Sequence, residues 1–378
     1  MTEQLSWDAV LAWRVARQGL AERAAAEDWM DVVRRVCGLH AQVQSSAELT
    51  LWTRMDGLDA GTVAQALWDD RTLVRTWAMR GTLHLLPADE LAMWVGAQGV
   101  IRPRYEMASW RKAFGLTTAE AVAVLDAIRD VLQDGEPLTR DELSDAVGER
   151  LGNQRLGEAV RGSFGTMPKL AAFRGDVVFA KPAGQRVRFT RPDRWLDAGW
   201  KPDAPAREAM AAVVRRHLAA YGPASRETFA RWFGMSSAAQ AGKLIAALGD
   251  EVAAVSVDGW EGWMLRDDVA AAGSSAPTGV VSLLPAFDGY VVAAPRDETP
   301  VLAAAHRDRV YRRQGWLSPV LLVDGRIAGV WSHERKGGFL GVTIEPFGPV
   351  EDVVREGADR EARRLAEYFG DELRLVWD

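Results

Sequence analysis

Val252-Ala253-Ala254-Val255-Ser256-Val257, then Asp258-Gly259, then Trp260-Glu261-Gly262-Trp263-Met264-Leu265 is the stretch on which the fold turns. Two apolar runs around Asp-Gly predict a β-hairpin, because Asp-Gly suits the type I′ turn, whose two central residues both take positive φ. Upstream of it, an Ala-rich helix is predicted from Pro205 to Ala220, with a turn at Tyr221-Gly222-Pro223. Ser225 is placed to cap a helix carrying Phe229, Trp232 and Phe233, and Ser237 to Gln240 reads as a capping box before Leu244, Ile245 and Leu248. The unit is therefore helices closed by a hairpin.

The same order recurs twice nearer the N-terminus. Trp7, Val10, Leu11 and Val15 share a helical face, Asp28 to Leu39 reads as a second helix, and Val63 to Leu67 as a third. Leu73 to Trp77, Arg80-Gly81 and Thr82 to Leu86 form the hairpin, ended by Pro87. Next come capping boxes at Thr117 to Glu120 and Thr139 to Glu142, and a helix near Gly157 to Phe164. Val177 to Phe179 and Val187 to Phe189 then flank a turn at Pro182-Ala183-Gly184. Helices closed by a β-hairpin are the winged form of the helix-turn-helix, which serves DNA binding and also plain protein–protein docking. Beyond a Gly/Ser/Pro-containing linker from Ala270 to Gly279, the chain turns β-rich. Strands are predicted at Val280 to Leu284, Tyr290 to Val292, Pro319 to Val323, Arg326 to Trp331 and Val342 to Glu345, with a helix from Val350 to Tyr368 before Leu373 to Val376. The predicted class is α+β: three tandem winged-helix units (residues 1–115, 116–200 and 201–270) and a C-terminal β-barrel over residues 280–378.

With 48% apolar and 26% charged residues among 378, the chain reads as globular. No basic head or apolar run opens it and no stretch is long enough to span a bilayer, so a cytoplasmic, nucleoid-associated protein with no membrane partner is expected. Cys37 is the single cysteine, which excludes an intrachain disulfide and a thiolate-rich metal site. The net charge of −6 is unevenly spread. Arg150 to Lys201 holds eleven Lys/Arg against four Asp/Glu, and Leu302 to Leu340 seven against three. A phosphate backbone responds to such local patches rather than to the sum.

No metal or cofactor site is predicted. The five histidines are scattered, and Ser332-His333-Glu334-Arg335-Lys336 begins like a zincin motif without its second histidine. There is no phosphate-binding glycine loop and no Gly-x-Ser-x-Gly elbow. Leu39-His40-Ala41-Gln42-Val43-Gln44-Ser45-Ser46 is unusual, since two glutamines separated by one residue point the same way if the segment is extended. On the residues alone it also reads as a polar loop or a helix cap.

Arg75 to Asp89, Gln42-Val43-Gln44, Leu283-Leu284-Pro285-Ala286-Phe287-Asp288-Gly289-Tyr290 and Gly315-Trp316-Leu317-Ser318-Pro319-Val320 together resemble the winged-helix family of the AlkZ and YcaQ (AlkX) DNA glycosylases. The resemblance runs over nearly the whole chain. It implies a glycosylase acting on double-stranded DNA with alkylated bases, with Gln42 and Gln44 as the catalytic pair. Gln rather than Asp at the second place looks like the AlkZ branch, which removes bulky or crosslinking alkylguanines made by antibiotics, as self-resistance or repair. The chemistry is consistent: an N7-alkylated guanine already carries positive charge and leaves without a strong acid, so neutral amides suffice to orient water and face the developing charge. No lysine precedes Lys112, which predicts a monofunctional enzyme without lyase activity. His40, Arg80, His84, His333, Arg335 and Lys336 are candidate DNA contacts, and Asp288 and Tyr290 either act or hold a turn. A monomer without an obligate protein partner is expected. The competing reading is a non-catalytic winged-helix DNA-binding transcriptional regulator.

Overall fold

The computed structural model describes residues 2–101, 103–133, 135–162, 166–196, 200–294 and 300–378. Contacts gather the chain into two units, Met1–Thr62 with Val214–Asp378, and Val63–Val213.

In the first unit the Val252–Val257 and Trp260–Leu265 strands pair antiparallel around Asp258 and Gly259, whose φ angles are 48° and 86°. Both turn residues are left-handed, as the type I′ turn demands. Ser225 and Ser237 cap their helices, accepting from the Thr228 and Gln240 amides. The Glu3–Leu5 strand joins this sheet in parallel beside Val255–Val257, which its short polar sequence gave no reason to expect. Trp7, Val10, Leu11 and Val15 are all buried on the Trp7–Arg17 helix, in one core with Val255, Met264, Tyr290, Val320 and Leu322. The predicted helix from Asp28 is shorter, Trp29–Arg35, because Cys37 (φ 62°) and Gly38 (φ 84°) turn the chain into a strand at Leu39–His40.

Three expectations for the C-terminal part are corrected. The Ala270 to Gly279 linker is half helix, since Arg266–Ser274 continues through its alanines. Tyr290 to Val292 is helical within Gly289–Ala293, because the Asp288 carboxylate accepts the Tyr290 amide and starts a helix there. The barrel is not closed. The sheet order is Val281–Leu284, Val320–Val323, Arg326–Lys336, Phe339–Pro346, Glu372–Trp377, and the first and last strands are edges. The Asp352–Phe369 helix packs against both edge strands, so a helix rather than a strand ladder covers the apolar face. Gly357 lets it approach: a Cβ there would lie 2.8 Å from Val281.

In the second unit the Leu73–Trp77 and Leu83–Pro87 strands form the expected hairpin, and Val178–Ala183 pairs with Arg186–Thr190. Trp77 of the first packs on Phe179 and Phe189 of the second at 4.7 and 5.9 Å. Both capping boxes are reciprocal, Thr117 with Glu120 and Thr139 with Glu142. The helix expected at Gly157 to Phe164 is Gln154–Arg161, and Phe164 lies outside the described residues. The fold is α+β, with helices leading into hairpins. Among the described residues no helix is long and apolar enough to cross a membrane.

His217 is buried among Tyr221, Phe229 and Trp232, with ring centroids 5.5, 5.2 and 4.4 Å away. Burial, helped by the Arg14 charge, pushes its pKa down from 6.5 to about 3. The fold therefore holds the neutral imidazole, and unfolding takes up a proton once pH falls below 6.5. Stability is expected to drop as pH falls from there toward about 3, by at most about 1.4 kcal/mol per pH unit. His217→Phe keeps the ring and removes the titration, so its urea midpoint should fall less steeply with acid than that of the wild type.

Candidate active site

The Gln42 segment is built from a strand that stops and a helix that starts. Leu39–His40 is extended and buried, and the helix Gln44–Trp52 opens two residues after Gln42. The segment is thus not the continuous strand whose alternation would align the glutamines. Gln42 is instead exposed in a bend and Gln44 is half-buried in the first helical turn. Val43, between them, packs against Ala286, Phe287 and Leu317. Neither amide is turned wholly into the core.

Helix spacing supplies a residue that the sequence reading missed. Glu48 stands one turn after Gln44, and the Gln44 Nε2 donates to Glu48 Oε1 at 3.5 Å. With its nitrogen engaged by the carboxylate, the Gln44 amide is biased to turn its oxygen away from Glu48. Burial raises the Glu48 pKa, against a smaller lowering by the Gln44 hydrogen bond. Tyr368 faces the same carboxyl from the C-terminal helix, and its own pKa is raised by burial and by the Glu48 charge.

The far end of that helix is anchored. Arg54 and Asp288 are fully buried and paired through both guanidinium nitrogens, Nη1 to Oδ2 at 2.8 Å and Nη2 to Oδ1 at 2.9 Å. Nη1 also donates to the Thr50 carbonyl and Nη2 to Gln18 Oε1. Asp288 and Tyr290 thus hold structure: the carboxylate caps a helix and binds Arg54, while the buried Tyr290 hydroxyl, its pKa pushed up to about 12 by burial, donates to the Gly325 carbonyl.

His40 is buried, and its ring stacks on Phe287 at 4.9 Å with planes 7° apart. Lys336 ends the Arg326–Lys336 strand, exposed, so these basic residues lie in a strand rather than a loop just past Asp324-Gly325. Arg335 is exposed but pairs with Asp371 at 2.5 Å and lies over Phe369. His333 is exposed, with its ring near those of Trp331 and Phe369, and its pKa is lowered by desolvation and by Arg335. From Phe369 the rings continue through Tyr368 to Trp52 on the helix that Gln44 opens. Arg80 and His84 belong to the second unit. Arg80 is half-buried at the hairpin turn with φ 59°, whereas His84 is buried, its Nδ1 3.0 Å from the Thr82 carbonyl oxygen. Lys169, also missed, lies against that turn: a Cβ on Gly81 would be 3.1 Å from its Cδ. Its pKa is lowered by burial and by the Arg104 charge. Among the described residues no three His, Cys, Asp or Glu side chains gather to hold a metal ion.

The model of the AlkZ-like DNA glycosylases matches residues 33–368. The chain belongs to this family. An interstrand DNA cross-link repair glycosylase of Streptomyces sahachiroi is 34% identical over 374 residues, covering 97% of each chain. The solved structure of the Streptomyces sahachiroi DNA glycosylase AlkZ superposes with a TM-score of 0.87 at 33% identity, over 99% of this chain and 100% of that one. For an AlkZ-like glycosylase, a carboxylate bound to the second glutamine makes a specific demand on pH. Glu48→Ala is expected to slow single-turnover base release about tenfold, the worth of one orienting hydrogen bond. Glu48→Gln keeps an acceptor for Gln44 but carries the neutral side chain at every pH, so it should run at the reduced rate the wild type reaches in acid and show no acid limb of its own. A wild-type acid limb that survives in Glu48→Gln refutes this role.

Proposed function

We propose that the protein is a monofunctional DNA glycosylase for cationic N7-alkylguanine-type lesions, with Gln42 and Gln44 at the reacting sugar. The observation that carries this reading is the pairing of an exposed Gln42 with a Gln44 whose amide nitrogen is held by Glu48. Water adds to C1′ as the bond from C1′ to the base breaks. The bonding electrons flow into the purine and cancel its positive charge, and the water's proton passes to solvent. A base that leaves as a neutral molecule needs no general acid. What remains is to orient water and to face the oxocarbenium charge, work suited to fixed amide oxygens near a carboxylate. An undamaged guanine lacks this pre-activation and stays bound.

The name of the Streptomyces sahachiroi relative extends the proposal to interstrand crosslinks, since a guanine crosslinked through N7 would have the same electronic character. Such an activity would serve DNA repair or self-resistance against a crosslinking antibiotic. The helix-and-hairpin units of residues 1–115, 116–200 and 201–270 are read as winged helices lying along the duplex, the protein working as a monomer. Arg80 with Lys169 and Arg104, and Lys336 at the end of its strand, are the proposed phosphate contacts, with Arg335 and His333 beside Lys336. The buried His40 and His84 support the shape of their segments instead.

Duplex DNA with one N7-methylguanine is the direct test. The wild type should release the base and leave an abasic site that breaks only in alkali. Gln42→Ala/Gln44→Ala should lose about a hundredfold or more of that rate. Release by the double variant at the wild-type rate would falsify the assignment of the glutamines. No release by the wild type, from this duplex or a mustard-crosslinked one, would remove the glycosylase reading in favour of binding alone.

A further inference from the structure

Trp316 is 47% exposed, in a chain where most tryptophans are covered. Its position is not casual. The ring meets Phe287 edge to face, with centroids 5.0 Å apart and planes at 78°, and Phe287 stacks in turn on His40. Phe287 and the neighbouring Leu317 form the apolar cluster against which Val43 packs, between the two glutamines. The aromatic series therefore begins under the Gln42 segment and ends at solvent. The loop that carries it is tightly closed. Gln314 and Gly315 are both left-handed, at φ 58° and 77°, the Arg312 amide donates to the Trp316 carbonyl at 2.8 Å, and Tyr311 bridges to Leu317. Arg312 and Arg313 on the same loop are exposed.

An indole held rigidly against solvent, with exposed guanidiniums next to it, matches one kind of ligand well. A nucleotide presents a flat ring and a phosphate, and an electron-rich indole face prefers a ring that is positively charged. We infer that the open face of Trp316 is the surface on which the cationic purine of the damaged strand stacks, with Arg312 and Arg313 meeting the phosphates of that strand. This rests on the glycosylase reading for its substrate and adds the residue that recognises the damage. Recognition by stacking and charge, rather than by hydrogen bonds to base edges, would let alkyl groups of different size be accepted. Phe287 and His40 are positioning residues in this arrangement, since they brace the indole without reaching the base.

The test uses the full chain and matched duplexes with and without one N7-methylguanine. Binding is read by fluorescence anisotropy in the Gln42→Ala/Gln44→Ala background, so the lesion survives, and single-turnover base release is read with the glutamines intact. Trp316→Phe keeps an aromatic face and should stay within about threefold of the parent. Trp316→Leu keeps apolar bulk alone. It should lose about tenfold in preference for the damaged duplex and raise the half-saturating protein concentration for base release by a similar factor. Affinity for the undamaged duplex and the thermal midpoint should be unchanged. Leu performing as well as Phe, an equal loss on both duplexes, or a parent with no preference for the lesion each overturns the inference. Base release that needs the glutamines but ignores Trp316→Leu sinks the stacking surface and spares the catalytic reading. A Trp316-dependent preference for the lesion, in a protein that releases no base, does the reverse.

Discussion

The Arg54–Asp288 pair is the constraint from which the site takes its shape. Two fully buried ions, far apart in sequence, meet through both guanidinium nitrogens. Gln18 ties in a third segment, accepting from Arg54 and donating to the Ala220 carbonyl. Such pairs add little net stability over an apolar replacement, because desolvation offsets most of their attraction. What they contribute is intolerance of alternatives, since any packing that separates them leaves a bare charge in the core. Arg54 lies two residues beyond the helix that Gln44 opens, and Asp288 directly follows Phe287. One interaction therefore sets the helix that carries the second glutamine and the ring on which the first one's neighbour packs.

The chemistry around the glutamines follows from the same placement. A carboxylate at the reaction centre would be the usual answer to an oxocarbenium ion. Here the carboxylate stands one helical turn from Gln44 and faces its amide, so in the proposed assignment it would act on the sugar only through that amide. That arrangement suits a substrate whose leaving group is already activated, and it places Glu48 where burial favours the protonated form. Tyr368, from the C-terminal helix, shares that buried corner.

How much of this was legible in the sequence depended on the range of each signal. The hairpins were readable because Asp258-Gly259 and its flanking runs are local, and the capping boxes because four residues carry the whole geometry. Arg54 and Asp288 were not readable as partners: neither has a periodic neighbour, and their encounter is purely tertiary. Tyr290 to Val292 was misread because Tyr and Val favour strands, while the single carboxylate of Asp288 decided for a helix. The barrel failed for a different reason. Strand patterns give the members of a sheet but not its edges, and the Asp352–Phe369 helix covers the face that closure would have enclosed. The glutamines came from resemblance to a family, and Glu48 was hidden until the helix start at Gln44 was fixed.

Left-handed backbone at non-glycine residues occurs at several places, Cys37, Arg71 and Arg80 among them, and two of these places lie beside the exposed indole. Asp258 and Asp324 are left-handed in Asp-Gly turns, where aspartate is commonly found in that conformation. Phe287 and Gln314 have no such excuse: their φ angles are 60° and 58°, each at a cost of roughly 1–2 kcal/mol. Strain of this kind persists only where the surroundings over-determine it. Arg54 and the helix cap do so at Phe287, and the Arg312–Trp316 backbone bond and the Tyr311–Leu317 bridge do so at Gln314. Two unrelated strained turns therefore converge on one pair of touching rings, Phe287 and Trp316. The exposed indole is thus fixed by the backbone of its own loop and by the ring beneath it, not by burial.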